Sequence, residues 1–209
     1  MTSYRLAAGV ADLALEPGEH FLAGGTWLFS EPNEHITGLV DLTSLGWNTI
    51  EESDAGVTVG ALVTIEHLVA WAGRSEGLWP AARLVPLAAD ALLASFKVWH
   101  AATIGGNVCR GYAAASMISL GAALDATGLF IRADGSEFTV PIAEIPIGDA
   151  ETIVRPGEAL RSVHFPAHAL ASRASLRKIA LARFGRSGAV ATGRADADGT
   201  MMYARVYWP

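Results

Sequence analysis

Cysteine is almost absent from this chain. The one thiol, Cys109, can close no internal disulfide and cannot by itself hold an iron–sulfur cluster, and a lone thiol fits a reducing compartment. Charge is also sparse, at 17% of residues, and sums to −6 at pH 7. An acidic chain with no basic tract lacks the field that phosphate backbones need, so nucleic acid is excluded as a default partner. Long apolar runs are missing too, and none approaches the roughly 20 residues that span a bilayer. Asp12, Glu16 and Pro17 interrupt the N-terminal stretch where the apolar region of a signal peptide would stand. These absences predict a cytoplasmic protein with no membrane partner. His164 and His168 are too isolated to suggest a metal site.

What the chain does have is apolar bulk. Hydrophobic residues make up 51% of 209, enough for one or two domains with a substantial core. The pattern mixes short strands, hairpins and helices without steady βαβ alternation, which predicts an α+β fold. "HFLAGG" and "HITGLVDLTSL" read as strands entering turns, Asn48–Gly56 as an acidic, turn-rich junction, and "GVTVGA" as a half-buried strand. Thr64 caps a predicted helix with Ile65, Leu68, Val69 and Ala72 on one face and Gly73 near its end. Pro80 suits the first turn of another helix, which Pro86 must break or kink. "SMISLGAALDA" places Met117, Leu120, Gly121 and Leu124 on one stripe. A hairpin should turn at Asp134-Gly135, and "EALRSVHFP" reads as a further strand.

Two glycine pairs stand out against this background: Gly24-Gly25 in "LAGGTW" (Leu22, Ala23, Gly24, Gly25, Thr26, Trp27) and Gly105-Gly106 in "TIGGN" (Thr103, Ile104, Gly105, Gly106, Asn107). Glycine admits φ > 0 and lets a ligand approach the main chain, and successive exposed N–H groups form an anion-binding nest. Thr26, Thr103 and Asn107 add side-chain donors. A pyrophosphate held between the two loops would suit a dinucleotide cofactor in an acidic protein. The plainer alternative is two tight turns in a chain with 22 glycines. No G-x-G-x-x-G joins a strand to a helix, which disfavours a Rossmann domain.

"LAGGTWL" followed by "ATIGGNVC" resembles the paired FAD-binding loops of the flavin (medium) subunits of molybdenum hydroxylases, the carbon monoxide dehydrogenase and xanthine dehydrogenase family. "VTVGALVTIEHL", "LLASFKVWHAATIGGN", "RPGEALRSVHFP" and "LRKIALARFGRSGAVATGR" carry the likeness along nearly the whole chain. The resemblance implies a two-subdomain FAD-binding domain of the vanillyl-alcohol-oxidase (PCMH) type over residues 1–168, with subdomains of about 1–53 and 54–168. A shortened C-terminal domain, little more than a hairpin, would follow over 169–209. It implies noncovalent FAD with its pyrophosphate between residues 22–27 and 103–107, and it places Leu160 and Lys178 near the flavin. It further implies partner chains that carry molybdopterin and iron–sulfur clusters, with NAD, a quinone or oxygen as the acceptor. No side chain stands out as an acid–base catalyst.

The sequence departs from that pattern in two places. Arg110 and Tyr112 stand where many relatives place an acidic residue and a proline. Relatives also continue past residue 209, so an apolar face including Val190, Met202, Val206 and Trp208 would be left for a homodimer or partner contact. Among single residues, Cys109 reads as a small buried thiol, His100 as packed at a strand end, and Met201-Met202 as core filler. Trp27 either covers flavin or packs, Lys178 is either a charge near the flavin or solvated, and Arg186 reads as solvated. Two alternatives stay open beside the electron-transfer subunit: a stand-alone small flavoenzyme, and a cofactor-free module that binds another small ligand.

Overall fold

The computed structural model describes residues 2–30, 32–92, 94–112, 115–181 and 187–207, so Arg186 and Trp208 lie outside it. Strands β1 (Ser3–Leu6), β2 (Glu19–Leu22) and β3 (Gly38–Asp41) form a parallel sheet in the order β1-β3-β2. β3 lies in the middle and is buried along its length. The first glycine motif leaves the carboxyl end of β2.

The acidic stretch read as a turn-rich junction holds a strand as well as a turn. β4 (Ile50–Ser53) pairs with β5 (Gly56–Gly60) because Ile50 packs against the core and Gly56, at φ +133, allows the tight turn. After β5 come helices α1 (Ile65–Ser75), α2 (Leu84–Ala91), α3 (Phe96–Trp99), α4 (Ile104–Arg110) and α5 (Ser116–Ala123). β6 (Thr127–Arg132) and β7 (Glu137–Pro141) form the expected hairpin, with Gly135 at φ +82. A small pair, β8 (Pro146–Gly148) and β9 (Glu151–Thr152), leads to β10 (Glu158–Pro166) and the short α6 (Ala167–Leu170). β10 is the middle strand of an antiparallel sheet ordered β4-β5-β10-β6-β7.

Thr64 caps α1 as predicted, its hydroxyl accepting the His67 N–H at 3.2 Å. The helix runs past Gly73 to Ser75, and Trp71 joins Ile65, Leu68 and Ala72 on its buried face. Pro80 opens a 3₁₀ turn that ends at Arg83, and Pro86 is accommodated in the first turn of α2, where its missing N–H has no intrahelical partner to lose. α5 departs from its expected single stripe. Ser116 through Gly121 are all buried, because α5 runs between the other helices and the C-terminal sheet.

That sheet comprises β11 (Arg173–Ala180), β12 (Ser187–Ala195) and β13 (Met201–Tyr207), in chain order and antiparallel. The expected hairpin is β12–β13, and β11 completes it. Its inner face is covered, so Val190, expected to be left open, is fully buried in the main core. Met201 and Met202, expected to be core filler, are exposed at the edge strand, and the side chain of Val206 is outside the described set. Among the described residues no helix is long and apolar enough to cross a membrane, and no group of metal-ligating side chains gathers.

Candidate functional site

The second glycine motif is a helix start rather than an open loop. Thr103 is the N-cap of α4, its hydroxyl accepting the Gly106 N–H at 3.0 Å. The Ile104 N–H donates to Val63 O at 3.0 Å, the Gly105 N–H to Ala61 O at 2.9 Å and the Asn107 N–H to Thr103 O at 3.1 Å. These N–H groups are thus satisfied within the chain, and the nest expected from "TIGGN" is absent. The anchor is a β-bulge in β10 between Leu160 and Ser162. Arg161 O there accepts the Ala61 N–H at 2.9 Å, and Ala61 in turn holds Gly105. Gly105 must be glycine for a packing reason, since a Cβ would lie 2.7 Å from both Cβ and O of Ala61. Gly106 is exposed, and a Cβ there would meet only the Thr103 hydroxyl, at 3.1 Å.

Free donors collect on the first motif instead. The backbone N–H groups of Gly24, Gly25, Thr26 and Trp27 have no acceptor among the described residues, and neither does the Thr26 hydroxyl. Gly25 adopts φ +68, the one left-handed glycine of the two pairs, and the turn closes with the Phe29 N–H donating to Gly25 O at 3.0 Å. Leu22 is buried at the end of β2, and Ala23 packs against a neighbouring core cluster.

Two contacts press this loop along α4. Gly24 lies against the main chain of Ala101 and Ala102, just before the Thr103 cap. At the other end of the helix, the Arg110 guanidinium carbon sits 4.0 Å from the centre of the Trp27 ring. The Tyr112 ring also meets Arg110, at 4.3 Å. Loop and helix thus meet at both ends of α4, a span of about 10 Å at 1.5 Å per residue. Asn107 Oδ1 accepts the Met117 N–H at 3.2 Å and serves as a surrogate cap for α5. Its amide nitrogen has no partner among the described residues.

Leu160 is buried in the main core, where Cys109 also packs. Burial around that thiol pushes its pKa up to about 12, so Cys109 is no nucleophile near neutral pH. Lys178 donates to Asp90 O at 3.0 Å, at the end of α2, and no described contact joins it to either glycine motif. His100 is exposed rather than packed at a strand end. It sits just after α3 and meets Glu66 at 2.5 Å. An open, mostly apolar concavity between Asp54, Leu78 and His168 shares no residue with the two motifs.

The donor set fits an elongated anionic ligand. Main-chain N–H groups and a hydroxyl without partners among the described residues stand on the first motif, and the Asn107 amide and the exposed Gly106 stand on the helix that this loop meets at both ends. Arg110 and Tyr112, which meet the first motif through Trp27, were not among the candidates that sequence reasoning named. An arginine inside the otherwise uncharged run from Ile104 to Ser116 was the signal available.

Residues 4–168 match the family described as the FAD binding domain in molybdopterin dehydrogenase. No curated protein matches the sequence. Among solved structures, a chain of quinoline 2-oxidoreductase from Pseudomonas putida 86 is similar at 24% identity and a TM-score of 0.83, covering 99% of this chain and 74% of its own. Reconstituted CO dehydrogenase from Oligotropha carboxidovorans matches at 22% identity and a TM-score of 0.84, with the same coverage. CO dehydrogenase from Hydrogenophaga pseudoflava matches at 20% and 0.82, covering 98% and 74%. The chain therefore belongs to the family of FAD-binding domains of the molybdopterin dehydrogenases, flavoprotein parts of oxidoreductases, and has their PCMH-type α+β fold.

Proposed function

We propose that this chain is the electron-transfer subunit of a cytoplasmic molybdenum-hydroxylase-type dehydrogenase. Partner chains would hold the molybdopterin and iron–sulfur centres, and the acceptor would be NAD, a quinone or oxygen. We assign residues 1–168 to the FAD-binding domain and 169–209 to the C-terminal domain. The family match over residues 4–168, with the first glycine motif packed against the segment that leads into the second, carries the proposal. Bound FAD supplies the redox chemistry, which is the cofactor's own. The residues here bind and orient it: Gly24 to Trp27 donate N–H groups to its phosphates, and Thr26 and Asn107 add side-chain donors. Leu160 and Lys178 are proposed to flank the flavin.

The purified protein, alone or after incubation with FAD, should show a flavin spectrum in the visible range. Acid precipitation should release all of the yellow colour as intact FAD, because the thiol beside the site is held protonated. Colour retained in the pellet would reveal a covalent bond, and a chain that takes up no FAD would defeat the proposal.

Gly106→Val separates binding from folding. The added side chain meets only the Thr103 hydroxyl, 3.1 Å from its Cβ, and valine outranks glycine as a helix former, so stability without FAD should stay within about 1 kcal/mol of wild type. FAD affinity should fall by at least about tenfold, the equivalent of about 1.4 kcal/mol. Unchanged affinity would remove the start of α4 from the site.

A further inference from the structure

Arg110 is not accounted for by family membership. It ends α4 half-buried, with two aromatic rings against its guanidinium, Trp27 at 4.0 Å and Tyr112 at 4.3 Å. No carboxylate pairs with it among the described residues. Its one hydrogen bond among the described residues, from Nη1 to Ala150 O, is long at 3.4 Å. Arg110 Nε and Trp27 Nε1 are both shielded from solvent with no acceptor in reach among the described residues. A cation drawn out of water without an anion is unfavourable, and so is an orphaned donor; both are relieved when an anionic oxygen arrives.

The stack also has a direction. Cation–π contacts engage the flat faces of the guanidinium and leave its N–H groups in the plane of the fork. Two ring contacts therefore restrain the guanidinium without using up its N–H donors. Trp27 belongs to the loop whose main-chain N–H groups lack acceptors, so the charge stands beside those donors.

We propose that Arg110, clamped by Trp27 and Tyr112, reads the diphosphate of the dinucleotide and sets the preference for FAD over flavins that lack it. This rests on the flavin reading above. Neither the flavin ring nor the ribityl chain of riboflavin carries a charge that would call for a guanidinium. A planar fork suits phosphate oxygens better than a point charge does.

The test titrates the full chain and its Arg110→Met, Arg110→Lys and Trp27→Phe variants with riboflavin and FAD by flavin fluorescence, and with ADP by calorimetry. Wild type should favour FAD over riboflavin by at least tenfold. In Arg110→Met that ratio should fall by about tenfold, ADP should weaken in parallel, and riboflavin affinity should hold. Arg110→Lys should recover part of the ratio. Trp27→Phe, which keeps the ring but loses the N–H, should lose about threefold. The salt dependence of FAD binding should flatten in Arg110→Met. An unchanged ratio in Arg110→Met overturns this proposal while leaving the flavin reading intact. Wild type that binds no FAD overturns both. If Arg110→Met does not fold, an unchanged ratio in both Arg110→Lys and Trp27→Phe overturns the proposal instead.

Discussion

Gly24→Ala should abolish measurable FAD binding and also lower the melting temperature without FAD. A Cβ at this position would stand 1.7 Å from Ala101 O and 2.6 Å from Ala101 C. Both surfaces in that contact are main chain, so no rotamer change relieves it and the loop must lift away from the approach to α4. Overpacking of this kind costs about 1–3 kcal/mol, and a rigid contact belongs at the upper end. Lifting the loop also carries the N–H groups of Gly24 to Trp27 out of register with Asn107. Gly25→Ala should be milder. Its left-handed backbone costs about 1–2 kcal/mol with a side chain, but the atoms met at 2.7 and 2.8 Å belong to the Phe29 ring, which is 66% exposed and can swing aside. The expected order of stability loss is Gly24→Ala, then Gly25→Ala, then Gly106→Ala, read by thermal melts without flavin. A Gly24→Ala protein that melts with wild type would show that loop and helix do not touch there.

The glycine pairs stood out in the sequence, but the reasons for glycine differ from one position to the next. Only Gly25 needs φ > 0. Gly24 and Gly105 are forced by close approach, whereas Gly106 is exposed and a Cβ there would meet only the Thr103 hydroxyl. "TIGGNVCR" carries two poor helix formers and reads as a loop on propensity alone. It becomes α4 because Val63 and Ala61 accept its first N–H groups, contacts that depend on the distant bulge in β10. β11 was missed although its signal is local: Ala174 and Leu176 face in while Arg173, Ser175 and Arg177 face out, the period of two expected of a strand. α5 misled the stripe reading because its eight residues include no charge, which marks a helix buried all round. The buried pairing of Ser119 with Thr192 at 2.8 Å and the Trp27–Arg110–Tyr112 stack were not legible. Each joins segments far apart in the chain, and no local pattern encodes them.

Arg194→Met should be the most destabilising single change in the C-terminal sheet, by about 3 kcal/mol at pH 7, because it strands the groups that a buried ion pair had satisfied. The Arg194 side chain is 3% exposed. It donates to Ala123 O at the end of α5 at 2.9 Å, to Asp125 Oδ2 at 2.5 Å and to Asp196 Oδ1 at 2.9 Å. It thereby ties β12 to a helix end whose carbonyls have no intrahelical partner. The Arg194 hydrogen bond holds the Asp125 carboxyl below its usual range, against the opposing effect of burial and with help from His168 at 3.3 Å. A carboxyl depressed in the folded state contributes stability above its unfolded pKa of about 4, and that contribution disappears as pH falls through the lower folded value. The Arg194→Met deficit should therefore be large at neutral pH and shrink on acidification below about pH 4. Asp125→Asn isolates the charge, since asparagine tolerates the φ of +49 found there and Asp196 still pairs with Arg194. Its deficit should be smaller, about 1 kcal/mol after allowance for the part-exposure of Asp125, with the same trend in pH. Denaturant melts of the three proteins across that pH range decide the matter. A deficit in Arg194→Met that is as large in acid as at pH 7 would mean that side-chain packing, and not the ion pair, fastens the C-terminal sheet to α5.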